Sequence, residues 1–369
     1  MAQIEFSEEQ SMLLDTAADF CRKQAPIAVV RESIDTTEGI QPEVWQEMGA
    51  LGWLGVIIPE EYGGLGLGLG DVVPIVESMG RHLMSSPYVA TVLAARALVT
   101  SGSEEQKQAW LPKIAEGVAA SVALSEADGS WELDQVEATV NEEGQSLVLS
   151  GDKCFVLDAP MAEVIVVSAN LAGEARLVLV EKAQLQPESL TREVVIDETR
   201  RSYKLTLDGI TVPSSNLLPD ADFKALQQAA LLMLSAEISG GLVGVLHVIV
   251  EYLNTRKAFD RLIGSYQALK HPTVDILLSL EGARSHLYHA ATMLAQGNAE
   301  EFETALHMAK AHGSEAFAYA GDRAVQFHGG FGFTYECDAQ LYLRRALWCQ
   351  YQFGDERYHR QLLAPLLLD

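Results

Sequence analysis

Cysteine is scarce in this chain. Cys21, Cys154, Cys337 and Cys349 are its four cysteines in 369 residues, far apart and without a Cys-x-x-Cys pair. That spacing argues against a disulfide framework and against zinc, and it suits a reducing compartment. Basic residues are scarce too: 26 Lys and Arg stand against 51 Asp and Glu, for a net charge of −25. Nucleic acid is therefore excluded as a partner, because phosphate neutralisation needs clustered cations. Polybasic attachment to anionic lipid is excluded on the same ground. The opening residues, Met1-Ala2-Gln3-Ile4-Glu5, lack the basic stretch and apolar run of a secretory signal. Apolar runs are interrupted by Glu, Gly or His short of a membrane span. The expectation is a cytoplasmic protein. With 48% hydrophobic and 21% charged residues, the chain can form two or three packed units.

Periodicity divides the chain in three. Residues 7–24 start with the capping pattern Ser7-Glu8-Glu9-Gln10 and continue at helical spacing. Further helices are expected at 42–51, 70–83, 88–101 and 103–116, the last entered through Ser103-Glu104-Glu105-Gln106. Between them, residues 53–68 are rich in glycine. Such a loop can cradle phosphate, but this one lacks the Lys-Ser/Thr ending of a P-loop. From about residue 119 the pattern becomes short runs of Val, Leu and Ile. Eight strands are expected: 119–126, 135–141, 146–150, 154–157, 164–169, 177–181, 193–197 and 203–212. Long helical segments follow at 222–254, 270–296, 299–327 and 338–365. The fold class is thus α+β: an N-terminal helical domain (1–118), a small β-barrel or sandwich (119–216) and an antiparallel four-helix bundle (217–369).

One stretch goes against the acidic background. Arg256, Lys257 and Arg261 fall within six positions, between two long helices. A guanidinium binds carboxylate or phosphate through a planar pair of donors, so the cluster asks for an anion. Spacing alone leaves two readings: an ion pair to a nearby Glu, or a phosphate site.

The order of motifs resembles the acyl-CoA dehydrogenase family. The resemblance rests on Pro59-Glu60-Glu61-Tyr62-Gly63-Gly64, on Gly102–Lys107 with Trp110-Leu111-Pro112, on Arg256-Lys257-Ala258-Phe259 with Gln267, and on Gln326-Phe327-His328-Gly329-Gly330-Phe331-Gly332. It spans essentially the whole chain. It implies an FAD enzyme that desaturates an acyl-CoA thioester, passing a hydride to the flavin and a proton to a carboxylate. It assigns Arg256 to the FAD pyrophosphate and Phe259 and Gln267 to the cofactor. Gln326, Gly329 and Gly330 would approach a neighbouring subunit's FAD. An electron-transferring flavoprotein is the implied acceptor, and a homo- or heterotetramer the implied assembly.

The family's β-domain motifs are altered here. Leu124, Ser125 and Ser130 stand where flavin contacts are expected, but Ala127 and Trp131 replace the usual Pro and Asp. Phe155 can stack on the isoalloxazine, whereas Leu157 replaces a Thr and removes a polar contact worth roughly 0.5–1.5 kcal/mol. The base is altered too. Phe353 occupies one usual position of the carboxylate and Ala230 the other. Glu237, seven residues and roughly 10 Å along the helix from Ala230, and Asp355 are the remaining candidates, each also readable as a structural carboxylate. Asp197-Glu198-Thr199-Arg200, the Lys153–Asp158 run and Phe353-Gly354-Asp355 resemble the family's smaller-subunit branch. In that branch two different chains form a heterotetramer acting on bulky acyl-CoAs. The alternative reading is therefore a base-deficient partner subunit that completes flavin sites on a sister chain. A binding or scaffold role is the third, disfavoured by the retained Arg256, Gln267 and Gln326.

Overall fold

A computed structural model describes residues 8–368, with side chains from Met12 onward. Six helices come first: α1 (Glu8–Gln24), α2 (Ile27–Ser33), α3 (Pro42–Ala50), α4 (Val73–Arg81), α5 (Tyr88–Ser101) and α6 (Glu104–Ala115). Nine strands follow: β1 (Ala120–Ala123), β2 (Thr139–Glu143), β3 (Ser146–Ser150), β4 (Asp152–Leu157), β5 (Val164–Leu171), β6 (Glu174–Glu181), β7 (Leu190–Arg192), β8 (Ser202–Thr206) and β9 (Thr211–Pro213). The long helix α7 (Phe223–Thr255) leads into a hairpin of β10 (Lys257–Ala258) and β11 (Arg261–Leu262). Then come α8 (Gln267–Ala295), α9 (Ala299–His328), α10 (Ala339–Tyr351) and α11 (Glu356–Leu368). The fold is mixed α+β, with helical segments before and after a central β segment.

Two compact units emerge. One comprises Ser33–Leu69 and Ser85–Ala230; the other comprises Met1–Glu32, Gly70–Met84 and Leu231–Asp369. In the first, one sheet runs β1-β5-β2-β3-β9 with β6 also on β5, and a second runs β4-β8-β7. β5 pairs parallel with β1 and antiparallel with β6. Inward residues of both sheets, among them Val140, Leu149, Val156, Ile165, Val178 and Leu205, form one buried apolar cluster. Alternating Val, Leu and Ile account for it, since successive strand residues face opposite sides. Ser103 and Gln106 complete the expected capping box of α6, each side chain taking the other's backbone N–H. The glycines of the 53–68 loop serve packing: a Cβ on Gly64 would lie 2.0 Å from the Ile58 carbonyl oxygen.

In the second unit, α4 and α7 cross on glycine. A Cβ at Gly240 would lie 1.8 Å from the Glu77 carbonyl oxygen, and one at Gly80 2.2 Å from that of Glu237. Buried ions cluster beside this crossing. Glu77 accepts from Ser239 (2.7 Å), pairs with Arg284 (3.0 Å) and accepts from the Tyr288 hydroxyl. α7 is long and apolar enough to cross a membrane, although 89% of its most apolar window is buried within the protein. The expectation of no such run counted the helix's Glu, Gly and His as interruptions; the helix carries all three in its interior.

Several sequence expectations need correction. Ser7, the expected cap of α1, lies outside the described residues. Residues 193–197 form no strand: Val194 is fully exposed and Asp197 turns back to bond Thr199. The 203–212 run is two strands, broken where Gly209 takes a φ of 84°. The 338–365 segment is two helices, separated where Phe353 (φ 55°) and Gly354 (φ 108°) reverse the backbone. α2 was not anticipated, being only seven residues long.

Gly240→Ala is expected to destabilise the protein by at least about 2 kcal/mol, because a backbone carbonyl cannot yield as a flexible side chain does. Urea or thermal denaturation measures it, and an unchanged midpoint would show that α4 and α7 do not meet so closely.

Candidate functional site

The basic turn is a hairpin with a two-residue loop. Ala258 pairs with Arg261, and the loop residues Phe259 and Asp260 both have positive φ (54° and 61°). That is the backbone of a type I′ turn, which usually selects Asn or Gly. The Tyr266 hydroxyl donates to the Ala258 carbonyl (3.1 Å), and the Ile263 N–H donates to that of Arg256 (2.9 Å). So braced, Phe259 stands 90% exposed.

Arg256 directly follows α7, beside a cavity of about 640 Å³. Tyr252, Arg256, His328, Gly329, Gly330 and Phe331 line it. The Tyr252 ring, one turn before Arg256, stacks on His328 at 3.9 Å. His328 donates from Nδ1 to the Ala324 carbonyl (2.7 Å), since only a donor can face that oxygen. The ends of α7 and α9 are thereby joined. Among the described residues the Arg256 guanidinium has neither ion pair nor hydrogen bond, although the chain holds nearly twice as many acids as bases. Gly329 ends α9 at φ 61°, ψ −141°, a region essentially reserved for glycine. A Cβ on Gly329 or Gly330 would meet nothing within 4 Å, whereas one on Gly332 would lie 2.1 Å from the Val325 carbonyl oxygen. Gly332 is needed for packing, while Gly329 and Gly330 leave the cavity floor bare. An unpartnered guanidinium over bare backbone fits a diphosphate.

Arg256, Gly329 and Gly330 thus meet in one cavity. Gln326 is exposed on the last turn of α9, and Gln267 is the exposed first residue of α8. Neither they nor Phe259 line the cavity. Tyr252 and His328 were missed as site residues. The available signal was an aromatic four residues before the arginine, on the same helix face.

The β-segment residues lie in the other unit. Leu124 is buried, and its carbonyl accepts from Ser168 (3.4 Å). Ser125 bridges to Cys154. Leu157 accepts from the Ser121 hydroxyl through its carbonyl (2.6 Å). Phe155 is 40% exposed at a φ of 56°. These four lie along the adjoining strands β1 and β4 and the residues just after β1. Ser130 sits apart in the connection to β2, where its Oγ accepts the Glu132 N–H (3.3 Å). Beneath them is a buried ion pair, Lys153 to Glu126 (2.6 Å), with Lys153 also donating to Ser168 (2.9 Å). Glu126 further accepts the Glu137 and Ala138 N–H groups. Desolvation works against its charge, but Lys153 and these backbone donors outweigh it and hold its carboxyl below the usual range.

Both candidate bases have structural work. Glu237 is buried and paired with the fully buried Arg345 at 2.6 Å. Asp355 caps α11 by accepting the Tyr358 N–H (2.8 Å). Ala230 is buried on α7. Phe353 sits in the α10–α11 turn, where side chains hold three carbonyls. His359 donates to Phe353 (3.0 Å); Lys310 donates to Gly354 (2.6 Å) and Gln350 (3.0 Å). Burial drives His359 down to about 3 and Lys310 down to about 8. His359 is therefore neutral and takes its second hydrogen bond from His307, Nδ1 to Nδ1 at 2.9 Å.

The acyl-CoA dehydrogenase N-terminal domain matches residues 7–118, and the acyl-CoA dehydrogenase C-terminal domain matches residues 225–368. The probable acyl-CoA dehydrogenase YngJ of Bacillus subtilis is 29% identical, over 99% of both chains. Acyl-CoA dehydrogenase IpdE2 of Mycobacterium tuberculosis is 29% identical over 92% of this chain and 91% of its own. A solved structure of the Tcur3481–Tcur3483 steroid ACAD superposes with a TM-score of 0.86 at 28% identity, over 98% of each chain.

Asp158, next to Leu157, is fully enclosed, and burial pushes its carboxyl up to about 7 despite the opposing pull of Arg200 and Arg201. The folded state thus holds a proton that the unfolded chain gives up near pH 4, so this group's contribution to stability is lost as pH rises from about 4 to about 7. Asp158→Asn is expected to raise the melting temperature at about pH 8 and to raise it by well under half as much at about pH 5. Equal shifts at both would contradict the assignment.

Proposed function

We infer the roles of individual residues from one premise: the chain belongs to the acyl-CoA dehydrogenase family, FAD-dependent oxidoreductases that act on the CH–CH group of an acyl-CoA. Arg256 takes the FAD diphosphate, with Gly329 and Gly330 giving the backbone approach and Gln326, Phe259 and Gln267 adding contacts around the cofactor. The unpartnered Arg256 guanidinium above the glycine floor is the observation that carries this reading. At the β segment, Ser125 and Leu124 address the flavin edge, Phe155 packs on the isoalloxazine beside Leu157, and Ser130 reaches toward phosphate. Bound FAD supplies the acceptor for the substrate's β-hydride.

The α-proton needs a carboxylate. Of the two candidates, Asp355 keeps one oxygen outside its cap, whereas Glu237 is committed to a buried guanidinium. We therefore rank Asp355 ahead of Glu237 for any base within this chain. The engagement of both, with Phe353 and Ala230 at the family's usual positions, supports a second reading beside the first. Here the chain works in a hetero-oligomer whose sister chain holds the base. The two-protein steroid ACAD among the similar structures supports it. The substrate is then a bulky acyl-CoA, the acceptor an electron-transferring flavoprotein, the assembly a tetramer and the location cytoplasmic. Three domains, 1–118, 119–216 and 217–369, complete the reading. The middle is a small barrel or sandwich, supported by the shared core of its two sheets. The last is a four-helix bundle, supported by the long helices α7–α9 and by α10.

Flavin content and anaerobic bleaching by acyl-CoAs, for the chain alone and co-expressed with a dehydrogenase-like neighbour, test this function. The chain alone is expected to bind flavin and bleach slowly, with full turnover only in the pair. If the chain alone turns over fully and Asp355→Asn lowers that rate 100-fold or more, the base lies within this chain. Absence of flavin from every preparation would sink both readings.

A further inference from the structure

The fourth strand carries a bulge whose hydrogen bonds can be followed one by one. Lys153 pairs with Leu205 and Val156 with Tyr203, so Cys154 and Phe155 together face the single residue Lys204. A bulge frees backbone donors from the ladder, and buried or half-buried donors need partners. The Cys154 N–H goes to the Ser125 carbonyl (2.9 Å). The Phe155 N–H goes to a side chain, the Glu193 carboxylate, at 3.0 Å. The same carboxylate oxygen accepts the Ser202 hydroxyl (2.7 Å), and the Glu193 N–H donates to the Ser202 carbonyl (2.9 Å). Glu193 directly follows β7, so its carboxylate bridges from β7 past the edge of β8 to the bulge in β4. After it, Val194 is fully exposed, so the loop beyond Glu193 gains no apolar anchor there.

We propose that Glu193 is a positioning residue of the flavin site. Its carboxylate holds the backbone of Phe155 in the left-handed conformation that presents the ring to the isoalloxazine. A φ of 56° is one that a residue with a Cβ rarely adopts, so the surroundings must impose it. A hydrogen bond to a charged acceptor is among the stronger ways to do so. The sequence offered no hint, because the bond links residues 38 apart through a loop that reads as a strand. The proposal rests on the reading that Phe155 faces the flavin, and its test separates the two.

The test measures FAD affinity and flavin fluorescence on the full chain in the assembly in which it purifies. An indole in contact with the isoalloxazine quenches its fluorescence by electron transfer, whereas a phenyl ring does not, so Phe155→Trp reports where this side chain lies. Phe155→Trp tests the reading and is expected to lower the fluorescence. Glu193→Ala is expected to weaken FAD binding about tenfold and, in the Phe155→Trp background, to restore the fluorescence. Glu193→Gln keeps an acceptor oxygen and is expected to stay within about threefold of the original affinity. In the Phe155→Leu background, Glu193→Ala is expected to add no further loss of affinity. Original affinity in Glu193→Ala with the Phe155→Trp quenching retained, or its full effect persisting in the Phe155→Leu background, would overturn the proposal and leave the reading standing. Unaltered fluorescence in Phe155→Trp together with unaltered affinity in Phe155→Leu would overturn both. If Glu193→Ala does not fold, Ser202→Ala in the Phe155→Trp background decides, since it loosens the carboxylate without removing it. A partial rise in fluorescence is expected, and none overturns the proposal.

Discussion

The exposed Arg256 guanidinium has no ion pair among the described residues, in a chain with 51 acidic residues. The surrounding structure leaves this side chain open to a ligand. The α7 helix ends one residue before Arg256, the hairpin turns the chain away on a two-residue loop, and α9 stops on two glycines that leave the opposite wall bare. The Tyr252–His328 stack fixes the spacing between those two helix ends. We propose an anion with two phosphates as the ligand of this arrangement, and the rest of the functional account depends on that proposal.

Buried carboxylates elsewhere tell the opposite story. Glu77, Glu126 and Glu237 are each committed to a cation: Arg284, Lys153 and Arg345. Removing one partner of such a pair leaves a charge stranded in low dielectric, so these residues resist substitution for reasons unrelated to proton transfer. An apolar helical context around a Glu is thus weak evidence for a base. The turn at Phe353 shows the same economy. Its three carbonyls are held by Lys310 and His359, which fix its shape without placing an ionisable side chain at position 353.

The sequence conveyed the long elements and the motif order well. α5 through α9 and most strands follow from apolar periodicity and capping residues, as Ser103 and Gln106 do for α6. The unexpected break between α10 and α11 lies where the backbone reverses at a residue that does not announce it, Phe353. Phe353, Phe259 and Phe155 all adopt positive φ. Tertiary bonds to His359 and Lys310, to Tyr266 and to Glu193 accompany these turns, and no local propensity scale contains them. The α10–α11 break and the Glu193 loop were therefore read as continuous elements. At the candidate site, Arg256, Gly329 and Gly330 were legible by charge and glycine. Tyr252 and His328 were not, because an aromatic at helical spacing reads first as core.

ADP binding is the most direct measurement of the central claim, because ADP carries the diphosphate without the isoalloxazine. Calorimetry on the chain as purified and stripped of flavin, with and without Arg256→Ala, isolates that contact. The account predicts measurable ADP binding, weakened about tenfold or more by Arg256→Ala, with FMN binding little changed. ADP affinity indifferent to Arg256→Ala would contradict it.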